Sequence, residues 1–270
     1  MSDPIRSGLV RRGLAAGLFF FFTSSLFLSA AESPAPQDPT PADQELLAAS
    51  DLFAAAPSEF RVELEVRSGT ATTGMPLEIW RRGADLALVR LLAAKDRGKF
   101  LLRRDRELYF IAPGSARPVK LAPSYRLQGA ALDELLGLRL VRDYRIGKVL
   151  EAGGIVTFDL LANNKSAASP RLRWAVSRAS RLPLRADLQA TTGKVLRVIE
   201  FRDWSDSRRG IPRRMLVKDV ARGGPQLEIL FGGLETRPVG LDLFDLDGAG
   251  ARSALPAAPA PRNAKSPSPR

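Results

Sequence analysis

Histidine and cysteine are both missing from the 270 residues of this chain. Histidine is the side chain that most readily moves protons near neutral pH, and cysteine supplies thiolate nucleophiles and soft metal ligands. Their absence removes the commonest acid–base, thiol and zinc chemistries, so we predict a non-enzymatic protein with no metal site and no cofactor. Without cysteine the chain also forms no disulfide and receives no N-terminal lipid.

The N-terminus has the pattern of a secretory signal peptide. Arg6, Arg11 and Arg12 supply a positive region, residues 13–28 form an apolar run, and small residues follow it. This run is shorter than the ~20 residues that a membrane-spanning helix needs. We therefore predict a signal peptide over residues 1–31, cleaved after about Ala31, and a periplasmic mature protein that is not a lipoprotein.

The chain is strongly basic, with 41 basic and 29 acidic residues and a net charge of +12. Such a charge favours anionic partners, among them an anionic membrane surface. An alternative explanation of the positive charge is coding bias, because GC-rich coding sequences also produce an arginine-rich composition. Because an exported protein meets little nucleic acid, we predict no nucleic-acid partner.

Changes in composition mark the predicted domain boundaries. Residues 32–43 contain four prolines and are predicted to be a linker, and residues 248–270 contain five prolines and are predicted to be a disordered tail. The intervening residues 44–247 are enough for one domain with a sizeable core.

Within that domain the apolar residues mostly recur with a period of two, which is typical of strands with one buried face. Residues 60–67 alternate Phe, Val, Leu and Val with charged side chains, and residues 156–160, 172–176, 184–188 and 227–231 repeat the pattern. Turn residues at 153–154, 192–193 and 223–225 indicate hairpins. Helical spacing occurs only near 41–55 and 130–138. We predict a mainly β (α+β) fold, with a curved antiparallel sheet and two or three helices against it.

The order of several short motifs resembles that of the outer-membrane lipoprotein-sorting proteins, the LolA-like superfamily. The motifs lie at 98–102 (GKFLL), 108–113 (LYFIAP), 132–136 (LDELL), 182–185 (LPLR), 193–196 (GKVL), 201–203 (FRD), 211–215 (IPRRM) and 243–244 (LF). The resemblance spans roughly Phe60 to Leu246, and it rests on the succession of motifs because each one is short.

This resemblance implies an unclosed β-barrel whose concave face is covered by helices and holds lipid acyl chains. The lipoprotein carrier of the family uses a strand arginine to hold its helical lid shut. The many arginines of this chain do not single out a counterpart, so the sequence assigns no lid residue.

Two groups of residues are the candidate ligand site. The covering helix would present Leu132, Leu135 and Leu136 to the sheet. The hydrophobic ligand-binding face would carry seven aromatic side chains on one inner surface, namely Trp80, Phe100, Tyr109, Phe158, Trp174, Phe201 and Phe231. The alternative for each aromatic is ordinary core packing; only the whole set on one face would indicate a cavity.

Two acidic motifs are interpreted as non-functional. Asp242, Asp245 and Asp247 precede a glycine as in a calcium loop, but leucine and alanine stand where the first and last ligands belong. Asp133 and Glu134 are neighbours on a predicted helix, point about 100° apart, and are interpreted as its solvated face.

These observations predict a periplasmic carrier or chaperone that shields acyl chains of lipoproteins or other lipids and moves them between membranes. Its expected partners are the lipid itself and an inner-membrane transporter or an outer-membrane acceptor. The alternative is a periplasmic lipid or lipoprotein sensor that regulates a membrane-bound protein.

Overall fold

The computed structural model describes residues 37–255 except residues 70, 116, 123 and 205–210. The predicted signal peptide therefore lies outside the described residues. The strands are β1 (Glu59–Ser68), β2 (Met75–Arg82), β3 (Leu86–Leu91), β4 (Phe100–Arg104), β5 (Glu107–Ile111), β6 (Val119–Leu121), β7 (Arg126–Leu127), β8 (Ala130–Ala131), β9 (Tyr144–Ala152), β10 (Ile155–Ala162), β11 (Arg171–Ser177), β12 (Pro183–Gln189), β13 (Val195–Arg202), β14 (Arg214–Asp219) and β15 (Leu227–Thr236). The helices are α1 (Pro41–Ala49), α2 (Leu132–Leu136), α3 (Leu140–Asp143) and α4 (Ala249–Ala254).

Thirteen strands form one antiparallel sheet in the order β6-β5-β4-β3-β2-β1-β15-β14-β13-β12-β11-β10-β9, and β7 and β8 form a separate hairpin. Two meanders are joined where β1 pairs with β15, with Phe60 opposite Thr236 and Val66 opposite Ile229. A sheet of this many strands curls because strand twist accumulates. The outermost strands β6 and β9 do not pair with each other, so the sheet stays open. The predicted fold class, an unclosed antiparallel barrel with covering helices, is confirmed.

The alternation seen in the sequence sets which side chains face the concave side. Phe60, Val62, Leu64 and Val66 of β1 are buried in one hydrophobic cluster, as their spacing predicts. The predicted hairpin turns also fall between strands, and Gly153 and Gly154 join β9 to β10 with positive φ angles of 57° and 77°. Glycine adopts these angles without the clash that a Cβ atom would cause.

Two segments cover the concave face and are called the lid here: residues 41–57, which contain α1 and the turn after it, and residues 132–143, which contain α2 and α3. Leu46, Leu47, Leu132, Leu135 and Leu136 belong to the same buried cluster as the concave side chains of the sheet. No helix in the described ranges is long and apolar enough to cross a membrane.

Helix α1 begins at a capping box. Thr40 Oγ1 accepts the backbone N–H of Asp43 at 3.2 Å, and Asp43 Oδ2 accepts the backbone N–H of Thr40 at 3.0 Å. The helix ends at Ala49, so it is shorter than the helical spacing at 41–55 predicted. Beyond it the chain turns so that Leu52 and Phe53 enter the core, with Phe53 at a φ of 71°.

Helices at both ends extend beyond the predicted domain of residues 44–247. Asp43, assigned to the linker, is buried within α1. Residues 248–255, assigned to the tail, include α4, and Ala251 and Leu255 are buried there. They pack with Val239 and Phe244 against the outer, convex face of β2 to β5. The physical reason is that this outer face is itself apolar and needs a cover. Residues 256–270 lie outside the described residues.

Candidate functional site

The underside of the lid is anchored by one aromatic side chain, Phe53. Its ring stacks on Phe60 of β1 at a centroid distance of 5.5 Å and meets Phe231 of β15 edge-on at 6.4 Å. A left-handed φ is costly for a bulky non-glycine residue, about 1–3 kcal/mol. The burial of the ring offsets that cost, so Phe53 ties the turn after α1 to the junction of the two meanders.

A second anchor joins α1 to β11. The indole Nε1–H of Trp174 donates to Ser50 Oγ at 3.0 Å, and that hydroxyl donates to the carbonyl oxygen of Leu47 at 2.9 Å. Trp174 is fully buried and meets Phe201 edge-on at 5.2 Å. The end of α1 is therefore tied through one polar bond to an otherwise apolar concave face.

The start of α2 is held by a buried ion pair with β13. Arg197 Nε and Nη2 donate to the two carboxylate oxygens of Glu134 at 2.6 and 2.9 Å. Arg197 also donates to the carbonyl of Gly129 and pairs with Asp219. Burial raises the pKa of Glu134, while the charge of Arg197 opposes that shift. The interpretation of Glu134 as part of a solvated helix face is wrong, because the helix lies with this side chain against the sheet.

The end of α2 is held by two buried arginines. Arg81 Nη1 and Arg103 Nη2 donate to the same acceptor, the carbonyl oxygen of Leu136, at 3.0 and 3.1 Å. Arg103 Nη2 also donates to the carbonyl of Ala84 at 3.2 Å, and Arg81 Nε donates to that of Gly83 at 2.9 Å. Among the described residues, the hydrogen bonds of both guanidinium groups go to backbone carbonyl oxygens, and neither group forms an ion pair with a carboxylate. The sequence could not select these two arginines because both stand in strands where a charged residue normally faces water.

Burial lowers the pKa of both groups. Burial lowers the pKa of Arg103 to about 9, and the charges of Arg81 and Arg139 add to that shift. Burial likewise lowers the pKa of Arg81 to about 10, while the charge of Asp51 opposes it. Both values lie well above neutral pH, so the lid closes over two positive charges.

The side chains of the lid and the concave face form one buried cluster. A pocket of about 380 Å³ opens beside the lid. This mouth pocket lies between the turn after α1, the start of α3 and the ends of β1 and β2. Its lining includes Leu52, Phe53, Phe60, Arg81, Arg139 and Val141. Ligand pockets span about 300–1,000 Å³, so the mouth pocket is large enough for part of a small ligand.

Asp51 lies at the wall of the mouth pocket and begins α3 by a hydrogen bond. Its Oδ2 accepts the backbone N–H of Leu140 at 2.8 Å, while its Oδ1 is buried and has no hydrogen-bond partner among the described residues. Burial raises the pKa of Asp51 to about 6, against the lowering effects of the Leu140 N–H and Arg81. Sequence reasoning missed this carboxylate, since nothing in its spacing distinguishes it from a surface residue.

The seven predicted aromatic residues do not share one face. Phe158, Trp174, Phe201 and Phe231 lie in the concave cluster under the lid. Trp80, Phe100 and Tyr109 point to the opposite side and pack beneath the 3₁₀ turn Leu241–Phe244 and α4. The prediction of a single aromatic surface is therefore wrong for these three residues. Leu132, Leu135 and Leu136, the predicted covering residues, belong to α2 in the lid and are buried in the same cluster as the concave side chains.

Comparison with solved structures gives the class of fold. A LolA superfamily protein from Nitrosomonas europaea superposes with a TM-score of 0.66 at 18% identity, covering 76% of this chain and 97% of the other. A domain assigned to outer-membrane lipoprotein sorting from Vibrio parahaemolyticus gives 0.58 at 16% identity, covering 75% and 94%. A DUF1329 family protein from Desulfovibrio piger gives 0.60 at 17% identity, covering 81% and 100%.

No protein-family model matches the chain, and no curated protein matches it by sequence. The chain nonetheless has the fold of the LolA superfamily, and the resemblance inferred from its motifs is confirmed at the level of the fold.

Proposed function

We propose that this protein is a periplasmic carrier that shields the acyl chains of lipoproteins or other lipids between its lid and its concave sheet. It would receive them from an inner-membrane transporter and pass them to an outer-membrane acceptor, without chemical catalysis. The observation that carries the proposal is the lid itself: an apolar underside faces an apolar concave sheet, and a few discrete polar bonds hold the two together.

The energetics suit reversible loading. Burying one methylene group gains about 0.8 kcal/mol relative to water, so a C16 chain gains about 12 kcal/mol. Relative to a bilayer the same chain gains almost nothing. Moreover, an incoming chain must replace the contacts that Leu46, Leu47 and Phe53 make with the sheet in the closed state. Binding is therefore weak enough for release to an acceptor.

The lack of cysteine allows a clean test of lid opening. A single cysteine at Ala48, which is exposed on α1 two residues before Ser50, can carry a bimane fluorophore that Trp174 quenches while the lid is closed. We expect acyl lipids to raise bimane fluorescence, because displacement of α1 separates the two groups. Trp174→Phe is the matched control, since it removes the quencher and should abolish the change.

Mass spectrometry of lipids that co-purify with the protein would identify the cargo. Bimane fluorescence that stays constant across acyl lipids and lipopeptides, together with a purified protein free of lipid, would overturn the proposal in favour of a permanently closed domain.

A further inference from the structure

The two arginines under the lid have no ion-pair partner among the described residues. Arg103 is 2% exposed and Arg81 is 8% exposed, yet within the described part of the chain their hydrogen bonds all go to neutral backbone carbonyl groups. The Nε of Arg103 is buried with no hydrogen-bond partner among the described residues. A buried charge is costly unless it is paired, so an anionic partner would stabilise these two guanidinium groups.

The neighbouring carboxylates do not pair with these arginines. The charges of Asp51 and Asp85 act on Arg81, and those of Asp133 and Asp85 act on Arg103. Asp51 Oδ2 instead accepts the Leu140 N–H, and Asp85 pairs with Arg142. Arginine hydrogen bonds to carboxylate or phosphate are roughly twice as strong as those between neutral groups. A full negative charge would therefore satisfy both guanidinium groups better than the carbonyl oxygen of Leu136 does.

The mouth pocket gives such a group access along an apolar wall. Arg81 lines this pocket together with Leu52, Phe53 and Phe60. Its guanidinium carbon lies 4.8 Å from the centroid of the Phe53 ring. A molecule that enters here meets an apolar surface and a positive charge side by side, which is the chemistry of an anionic amphiphile.

We propose that Arg81 and Arg103 bind the anionic group of an acyl lipid, which replaces the carbonyl oxygen of Leu136 as their shared acceptor and thereby releases the lid. The inference rests on the proposed acyl-chain binding and adds the ligand class: a lipid with a carboxylate or phosphate next to its chain. Loss of the Leu136 acceptor frees the end of α2, while Glu134 and Arg197 still hold its start. The lid then swings from a fixed end.

The test compares ligands that separate charge from chain. Isothermal titration calorimetry at pH 7.5, on protein freed of co-purified lipid, would measure dodecanoate, methyl dodecanoate and inorganic phosphate. We expect dodecanoate to bind about tenfold more tightly than its uncharged ester, from the difference between charged and neutral hydrogen bonds. Inorganic phosphate should bind far more weakly than dodecanoate, because it has no chain for the apolar wall.

Variants would test whether Arg81 and Arg103 cause the tighter binding of dodecanoate relative to its ester. Arg81→Gln with Arg103→Gln removes both charges but leaves amide donors for Leu136, and should bring the ratio of acid to ester affinity close to one. Arg173→Gln, at a half-exposed arginine on the outer face of β11, should keep the tenfold ratio. The double variant should also weaken the bimane response at Ala48→Cys to dodecanoate but not that to the ester.

The outcomes separate this inference from the proposed function. Equal wild-type affinity for acid and ester would overturn the anion site and leave acyl binding standing, even if the variants do not fold. Binding of neither would overturn both. Phosphate that binds as tightly as dodecanoate would replace the lipid site by a site for a free anion.

Discussion

Arg81 and Arg103 lie directly opposite the same residue, Ala87, from the two strands that flank β3. All three side chains are on the concave face, and the two guanidinium groups converge on the carbonyl oxygen of Leu136. Ala87 is fully buried and small, so it leaves room for the end of α2 between the two long side chains. The position of the lid thus depends on a small residue as well as on two charged ones.

Ala87→Leu should lift the end of α2. The added methyl groups would occupy the space between the two arginines, at a cost of about 1–3 kcal/mol in the free energy of unfolding. Denaturant unfolding would measure that cost, and the Ala48→Cys bimane signal should rise without ligand. Ala175→Leu, on the other face of β11, is the control and should not change the signal. An unchanged signal in Ala87→Leu would show that the position of α1 does not depend on this space.

Breaking the ion pair at the start of α2 should be strongly destabilising. Glu134→Ala leaves Arg197 buried with Asp219 as its remaining acidic partner, and loss of one member of a buried pair costs about 3–5 kcal/mol. Glu151→Ala breaks an exposed pair with Arg178 and should cost under about 1 kcal/mol. Chemical denaturation of both variants provides the comparison. Similar losses in the two would mean that Glu134 is hydrated in solution.

Asp51 should make stability depend on pH below neutrality. Because burial raises its pKa from 3.8 to about 6, the folded protein holds a proton that the unfolded chain has released in this window, and stability falls as pH rises through it. Asp51→Asn keeps an acceptor for the Leu140 N–H and removes the charge. We expect it to stabilise the protein at pH 7.5 by on the order of 2 kcal/mol, with little gain at pH 4.

Thermal unfolding from pH 4 to 8 would show this difference, with Asp38→Asn as a control for an exposed carboxylate. A gain from Asp51→Asn that is the same at every pH would exclude titration of Asp51 as its cause.

The cover of the convex face should be structural and independent of the lid. Phe244→Ala removes a buried ring from the outer cluster and should cost about 3–5 kcal/mol. Leu241→Ala, three residues earlier and 59% exposed, should change stability by no more than about 0.5 kcal/mol. Neither variant should alter the bimane signal at pH 7.5 in buffer without denaturant. A rise in that signal for Phe244→Ala would connect the two faces.

The sequence predicted strands well where only one face is covered. In β1 the alternation of apolar and charged residues identifies the concave side chains correctly. In β2 to β4 both faces are covered, one by the lid and one by residues 239–255, so nearly every position is buried. Alternation then indicates two faces but does not show which one is concave. For this reason the sequence pattern assigns Trp80, Phe100 and Tyr109 to the concave face, whereas they lie on the convex face.

The candidate site was beyond sequence reasoning for a related reason. Arg81 and Arg103 belong to a chain in which arginine is abundant, and their roles depend on the backbone of α2, which no side-chain pattern reports. Glu134 likewise finds its partner 63 residues away on another strand. Such long-range pairs become visible only once the order of the strands is known.

The pairing of β1 with β15 sets an order on folding. Arg61 and Glu235 face each other across this pair although 174 residues separate them in the chain. Because the chain is synthesised from its N-terminus, the edge of β1 that pairs with β15 stays unpaired until nearly the whole domain has been made. Pairing between such distant segments is slow to form and leaves strand edges open to aggregation in the meantime. Until β15 is made, aggregation at this open edge therefore competes with folding.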